Sequence, residues 1–337
     1  MTETRAKVYV VQGRGQREYT DTQTAVAQVP ATVITLPFIG DEAGMIAALR
    51  DADGLIIAAS PVTRAVMSAC EGLKVVVRTG VGYDVIDVPA ATALGVIVVN
   101  VPDIWVREVA NHALGLLLAL NRKLVTLDRQ VRSGVWSSGV PGPHTGALHG
   151  ETVGIVGLGN IGSAFARRIA ALETTVIAYD PYVEPARYAA LGVERVTSLQ
   201  VLAERADYVS VHTLLNRETR HLIGDSFFRH MKPTALLINT SRGPVVDEQA
   251  LTRALEAGRL AGAALDVWEK EPVDAANPLL KMENVIATPH AAYFSSAAVA
   301  QVPRRCGEEV ARVLSGQRPL NVVNPEVYAA GAARRAR

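Results

Sequence analysis

Short apolar runs alternate with helix-period segments along most of the chain, and the alternation is played out twice. Over the first hundred residues the runs are KVYVVQ, TVITLP, GLIIAAS, KVVVRTG and VIVVNVP, with segments such as EAGMIAALRDA and TRAVMSACEG between them. After residue 150 it resumes with ETVGIVG, TTVIAYD, YVSVHT, TALLINT, GAALDV and NVIATPH, separated by stretches such as AFARRIAAL and DEQALTRALEAGRL. Strand, helix, strand in repetition makes a parallel sheet with helices on its faces. The expected fold class is α/β, with two doubly wound parallel-sheet domains. A length of 337 residues fits two cores better than one.

The connections are less regular. Residues 106–133 read as one long helix, followed by VPGPHTGALHG, whose prolines and glycines mark a loop. Residues 295–315 read as a helix that Pro303 should kink or interrupt, because proline has no N–H to donate. The tail AAGAARRAR is of low complexity and is expected to be disordered.

Charge and composition narrow the class of partner. The formal net charge is +1, so neither nucleic acid nor an anionic membrane is an expected partner. The most apolar run, ALGLLLAL, is far too short to span a bilayer and reads as a buried helix. Cys70 and Cys306 lie far apart and outside any metal-ligand spacing, which favours reduced thiols and a cytoplasmic location. The opening MTETRAKVYV has no apolar core of a secretory signal. No metal site is expected.

GLGNIG, residues 157–162, follows the apolar strand TVGIV and opens a helix. Gly157 permits the tight turn, Gly159 lets backbone approach a pyrophosphate, and Gly162 allows the helix to pack closely on the strand. The free N–H groups at the helix start complete a phosphate site. Asp180 ends the next strand, twenty-three residues beyond Gly157, where a carboxylate accepts from ribose hydroxyls and repels a 2′-phosphate. With no arginine immediately after it, the expected cofactor is NAD, bound by a Rossmann domain.

Three further residues stand just beyond later strands, at the edge where an open parallel sheet places its ligands. Arg242 follows LLINTS, Glu271 follows ALDVWEK, and His290 follows VIATP. Each alone has an ordinary structural reading: a solvated turn arginine, a surface glutamate before proline, a packing histidine. Together they match a reaction. Hydride transfer to a 2-oxo acid needs a cation for the carboxylate and carbonyl, a proton donor, and a carboxylate that keeps the donor charged.

The stretches VRTGVGYDVID, GIVGLGNIG, INTSRGPVVDE, GAALDVWEKEP and TPHAA resemble the D-isomer-specific 2-hydroxyacid dehydrogenases, and the likeness runs from residue 74 to 319. The resemblance implies that Arg242 anchors the substrate, His290 is the acid/base, and Glu271 is its carboxylate partner. Asp266 takes the position of the acid that holds the nicotinamide carboxamide, and Asn160 and Ile161 should meet the pyrophosphate. Thr213, Thr219, Thr240 and Ser241 fall at further cofactor-contact positions, and Val81 and Gly82 on the loop that meets the substrate carboxylate. The family's arrangement makes residues 1–102 and 293–337 a discontinuous substrate-binding domain and 103–292 the NAD-binding Rossmann domain. The two domains are Rossmann/flavodoxin-like, with the active site in the cleft between them. The partner is then a small 2-hydroxy or 2-oxo acid. A homodimer is expected through the ALGLLLAL helix and the arm at residues 136–149.

Within the family, HTLLNRETRHLIG and TPHAAYFS look most like the C-terminal-binding proteins, NADH-binding corepressors that keep the same three residues. That supplies an alternative, an NAD(H)-responsive scaffold. A second is the same fold acting on another donor such as phosphite. Tyr293 departs from the tryptophan of corepressor-like relatives and is expected to wall the substrate pocket. Trp105 and Val106 stand where relatives carry small or hydroxyl residues, and Trp105 is read equally as pocket wall or packing. His112, His144, His149, His212, His221 and His230 are read as structural.

Overall fold

The computed structural model describes residues 5–13, 20–139 and 146–329. The chain forms two compact units, one of residues 1–105 and 295–337, the other of residues 106–294. The division falls at 105/106 and 294/295, within three residues of the 102/103 and 292/293 boundaries that the family's arrangement implies.

In the first unit, strands β1 (Ala6–Val11), β2 (Ala31–Leu36), β3 (Gly54–Ile57), β4 (Val75–Arg78) and β5 (Ile97–Val99) pair in the order β2-β1-β3-β4-β5. All pairs are parallel. The order reverses beside β1, as in flavodoxin-like sheets. The helix Ser296–Leu314 returns the chain to this unit and is continuous through Pro303, so the expected interruption is absent. Its close approach to the helix Thr20–Val26 depends on Gly307, where a Cβ would lie 2.8 Å from Ala25 Cβ. The Thr22 hydroxyl donates to the Pro303 carbonyl at 2.9 Å across the same contact. Further on, Asn324 takes the Val98 N–H at 2.8 Å and donates to Val96 O at 2.9 Å, which stitches the later chain to β5.

The second unit holds seven parallel strands: β6 (Thr152–Val156), β7 (Thr175–Tyr179), β8 (Glu194–Arg195), β9 (Tyr208–Val211), β10 (Leu236–Asn239), β11 (Gly262–Leu265) and β12 (Val285–Ala287). Their order is β12-β11-β10-β9-β6-β7-β8, so the winding reverses between β6 and β9. Six strands were legible in the sequence; β8 is the addition. Val209, Val211, Leu237 and Leu265 pack in one core cluster and Ile155, Tyr208, Ile238 and Ala264 in another. Alternate residues thus face opposite sides of the sheet, and both sides are covered.

Residues 106–133 are two helices, Val106–Asn121 and Leu124–Arg132. Lys123, at φ 54°, lies in the left-handed region and stops the first. Val109, Ala113, Leu116, Leu117 and Leu120 bury one stripe of that first helix, at the spacing a core-facing helix requires. The second helix buries no residue, and Leu124, Val131, Val135 and Trp136 are exposed, the tryptophan at 91%. Residues 140–145, including His144, and the tail beyond 329 lie outside the described residues. Among the described residues no helix is long and apolar enough to cross a membrane.

Candidate active site

The register of β6 with its neighbours sets the geometry at the switch point. Val156 is level with Tyr179 on one side and Val211 on the other, so Gly157 emerges between Asp180 and His212. Gly157 adopts φ 92°, and its N–H donates to Tyr179 O at 3.0 Å. A Cβ on Gly157 would press on the His212 carbonyl and Thr213 Cγ2, each at 3.0 Å. A Cβ on Gly162 would lie 2.1 Å from Gly157 O, an impossible distance, so glycine is obligatory where helix meets strand. Gly159 has open space and caps the helix Asn160–Ala170 without a side chain. The first-turn N–H groups of Asn160, Ile161 and Gly162 are therefore available to an anion.

Asp180 is fixed at the end of β7. Its Oδ2 accepts the Leu158 N–H at 2.8 Å and its Oδ1 the Tyr182 N–H at 3.0 Å. The fold also brings in a cation: Arg187 Nη1 donates to Leu158 O at 3.4 Å. Along the strand ends, Thr213 Oγ1, Thr240 Oγ1 and His212 Nδ1 are buried without a hydrogen-bond partner among the described residues. Burial drives the His212 pKa down to about 3, so its ring is neutral, held by Ser210 at 2.9 Å and packed on Phe165. Three orphaned polar atoms beside an open glycine turn are what a dinucleotide-binding edge presents before its ligand arrives. Thr219 and Ser241 differ. Thr219 Oγ1 closes its own turn on Leu214 O at 2.6 Å, and Ser241 Oγ donates to Asn239 Oδ1 at 2.8 Å.

Arg242 leaves β10 in extended conformation and its Nη1 donates to Ser241 O at 2.8 Å. The turn behind it is anchored by buried Asn239, which donates to Arg242 O at 3.0 Å. Gly243 permits no Cβ, which would fall 1.9 Å from the Trp268 carbonyl carbon, so the Arg242 turn packs directly on the segment leading to Glu271. Glu271 Oε1 accepts the Trp268 N–H at 3.1 Å, and Oε2 lies 2.7 Å from His290 Nδ1. Burial raises the Glu271 pKa, but His290, the Trp268 N–H and the Arg242 charge together outweigh it and hold the carboxyl below its ordinary range. His290 adopts φ 53° in the turn after β12.

Asp266 organises that turn. It is fully buried, its Oδ1 accepting from Thr288 Oγ1 at 2.6 Å and the Ala291 N–H at 2.8 Å, and its Oδ2 from the Ala292 N–H at 2.9 Å. Its backbone carbonyl takes the His290 N–H at 2.7 Å. His112, which the linear reading set aside as structural, reaches the same cluster, with Nε2 3.2 Å from Thr288 Oγ1 and 3.5 Å from Asp266 Oδ1. Tyr293 meets the His290 ring edge-on, with centroids 6.4 Å apart.

Arg242, Glu271, His290, Asp266 and Tyr293 thus converge within the second unit. Val81 and Gly82 belong to the first, in the loop after β4, where Asn100 Nδ2 donates to Val81 O at 2.7 Å. Trp105 is buried there and donates to Thr79 O at 3.0 Å, which resolves its two readings in favour of packing. Arg78 is turned back inside the same unit, with Nη1 donating to Thr79 Oγ1 at 3.2 Å.

A seven-stranded doubly wound sheet with an open glycine turn at its switch point is the architecture of a dinucleotide-dependent oxidoreductase. Residues 114–292, more than half of the chain, match the family described as D-isomer specific 2-hydroxyacid dehydrogenase, NAD binding domain. The chain is 42% identical over 282 residues to a glyoxylate reductase of Korarchaeum cryptofilum, covering 83% of this chain and 85% of that one. It is 40% identical over 281 residues to a D-3-phosphoglycerate dehydrogenase of Methanocaldococcus jannaschii, covering 82% of this chain but 52% of that one. Among solved structures, a glyoxylate reductase from Paecilomyes thermophila superposes with a TM-score of 0.85 at 26% identity, over 95% of this chain and 99% of that one. The chain belongs to the D-isomer-specific 2-hydroxyacid dehydrogenase family, NAD-dependent oxidoreductases that act on a CH–OH group.

Proposed function

We propose that the protein is an NADH-dependent reductase of a small 2-oxo acid, with Arg242 as substrate anchor, His290 as proton donor and Glu271 as its partner. The observation that carries this reading is the 2.7 Å contact between His290 Nδ1 and Glu271 Oε2, with Arg242 close enough to help keep the carboxylate charged. Bound nicotinamide supplies the hydride to C2 of the substrate. Arg242 binds the substrate carboxylate and polarises the carbonyl. Glu271 occupies Nδ1 and stabilises the charged imidazole, which leaves Nε2 as the ring nitrogen that gives its proton to the carbonyl oxygen. In the reverse direction Nε2 takes the hydroxyl proton back.

The cofactor rests on Gly157, Gly159, Asn160, Ile161 and Gly162 for its phosphates and on Asp180 for its ribose. Thr213 and Thr240 offer their free hydroxyls, and the turns built on Thr219, Ser241 and Asp266 line the remainder. Residues 106–294 act as the cofactor domain, and Val81 and Gly82 are read as substrate-carboxylate contacts. Tyr293, edge-on to the His290 ring, bounds the pocket beside C2 and limits what that carbon can carry.

A small, singly charged substrate such as glyoxylate fits best. Arg78 is engaged within its own unit, and a relative of similar length is a glyoxylate reductase, whereas the chain spans about half of the phosphoglycerate dehydrogenase. The exposed Leu124, Val131, Val135 and Trp136 favour pairing of two copies through this face, since a two-fold dimer is the commonest way to bury one. Oxidation of NADH measured against 2-oxo acids of graded size tests the reading. NADH binding without turnover of any of them selects the scaffold alternative.

A further inference from the structure

The seven-stranded sheet has a second polar edge. At the strand N-termini, opposite the glycine turn, a cavity of about 110 Å³ is lined by residues that include Asn121, Lys123, Glu151 and Tyr208 over an apolar floor of Leu120 and Leu236. None of these residues belongs to the dehydrogenase centre described above.

Asn121 is only 2% exposed, and its amide nitrogen uses both hydrogens within the fold. One goes to Gly146 O at 2.9 Å and the other to the Tyr208 hydroxyl at 2.7 Å. Tyr208 in turn donates to Glu151 Oε2 at 2.6 Å, so both neighbours of Asn121 act as acceptors towards it and the orientation of the amide is settled by the network. Oδ1 is left without a partner among the described residues. Glu151 Oε2 also takes the Leu148 N–H at 3.1 Å, while Oε1 receives no donor among the described residues. Lys123, held at φ 54° where the helix stops, forms no ion pair among the described residues, and burial holds its amine below the ordinary lysine range. Asp207, also at the rim, is already satisfied by Lys232 at 2.7 Å and the Thr152 N–H at 2.9 Å.

Among the described residues, the lining therefore carries one amine without an ion pair and two oxygen acceptors without a donor, one of them on a carboxylate. We propose that it is a second small-molecule site that takes a small zwitterionic α-amino acid, its carboxylate on Lys123 and its ammonium on Asn121 Oδ1 and Glu151 Oε1. A hydroxy acid satisfies this set less well, because one hydroxyl hydrogen cannot serve two acceptors and carries no charge for Glu151. A cavity of roughly 150 Å³ holds benzene, so this one suits a molecule the size of glycine or alanine.

The test is calorimetric titration of the full chain with L-alanine, on the parent, Lys123→Gln, Lys123→Arg and Arg242→Gln proteins, with acetate as the half-ligand control. Thermal melts confirm that each variant is folded. We expect saturable binding of one alanine per chain, at least about tenfold tighter than acetate, the difference of one charge-assisted contact. Lys123→Gln should weaken alanine by a similar factor, Lys123→Arg should restore most of it, and Arg242→Gln should leave it unchanged. Loss of alanine binding in Arg242→Gln would place the ligand in the dehydrogenase centre. That result, an unaltered affinity in folded Lys123→Gln, or no saturable binding at tens of millimolar overturns the proposal.

Discussion

His290 Nδ1 and Glu271 Oε2 stand 2.7 Å apart at the ends of two turns that Trp268 ties together, its ring N–H donating to Thr288 O at 3.3 Å. The His290 turn is tied to buried Asp266, and Glu271 is tied to the Trp268 N–H. The imidazole is thereby fixed in one orientation, with Nε2 as its open nitrogen.

Replacing Glu271 should therefore leave Nδ1 without its carboxylate partner. In Glu271→Gln, kcat for 2-oxo acid reduction at neutral pH should fall by about tenfold or more. The parent carries a signature at the acid end. The Glu271 pKa is held below its ordinary value, so its partnership with His290 persists above the ordinary carboxylate range and is lost only as pH drops through the lowered value. An undiminished kcat in Glu271→Gln means that His290 does not depend on this partner.

The glycine turn allows a contrast between two alanine substitutions. At Gly162 a Cβ meets Gly157 O at 2.1 Å, so Gly162→Ala should cost about 1–3 kcal/mol of stability and lower Tm measurably. At Gly159 a Cβ meets nothing within 4 Å, so Gly159→Ala should melt near the parent yet bind NADH more weakly, because the methyl stands where the pyrophosphate approaches. Thermal melts paired with NADH fluorescence titrations separate the two effects.

Under the proposed reading cofactor preference turns on Asp180, whose carboxylate is held by two backbone amides. NADH should bind at least about tenfold more tightly than NADPH, roughly 1.4 kcal/mol. Arg187, brought beside Leu158 by the fold, is the cation that opposes this preference, and Arg187→Ala should widen the gap. Equal dissociation constants for the two cofactors in the parent contradict the role given to Asp180.

The exposed apolar side chains around Trp136 predict self-association. Light scattering should give a mass near twice 35.9 kDa at micromolar concentration, and Trp136→Glu combined with Val131→Glu should return it towards that of one chain. A parent protein that scatters as a single chain removes the dimer from the account.

Much of this was legible in the sequence because it rests on local signals. The period of the strands, the spacing of Gly157, Gly159 and Gly162, and the placing of Arg242, Glu271 and His290 just after apolar runs are all readable along the chain. What was not legible depends on tertiary contact or on residues without a signature. Strand β8 has two residues, too few to show a period. The break at Lys123 occurs at a residue with no breaker character, which takes up left-handed backbone where the helix leaves the sheet edge. His112 looks like any helical histidine until the fold sets it beside Thr288, far along the chain. Arg187 follows Asp180 too distantly for a motif, and only the winding of the chain brings it to the glycine turn.

Whether His290 donates the proton in reduction of a small 2-oxo acid by NADH is decided by steady-state NADH oxidation with glyoxylate, in the parent and in His290→Ala, alongside NADH binding to both. The parent should turn over, His290→Ala should fall by roughly 100-fold or more, and NADH affinity should agree within a few-fold in the two proteins. Undiminished turnover by His290→Ala, or a parent that binds NADH and reduces no 2-oxo acid, rules this role out.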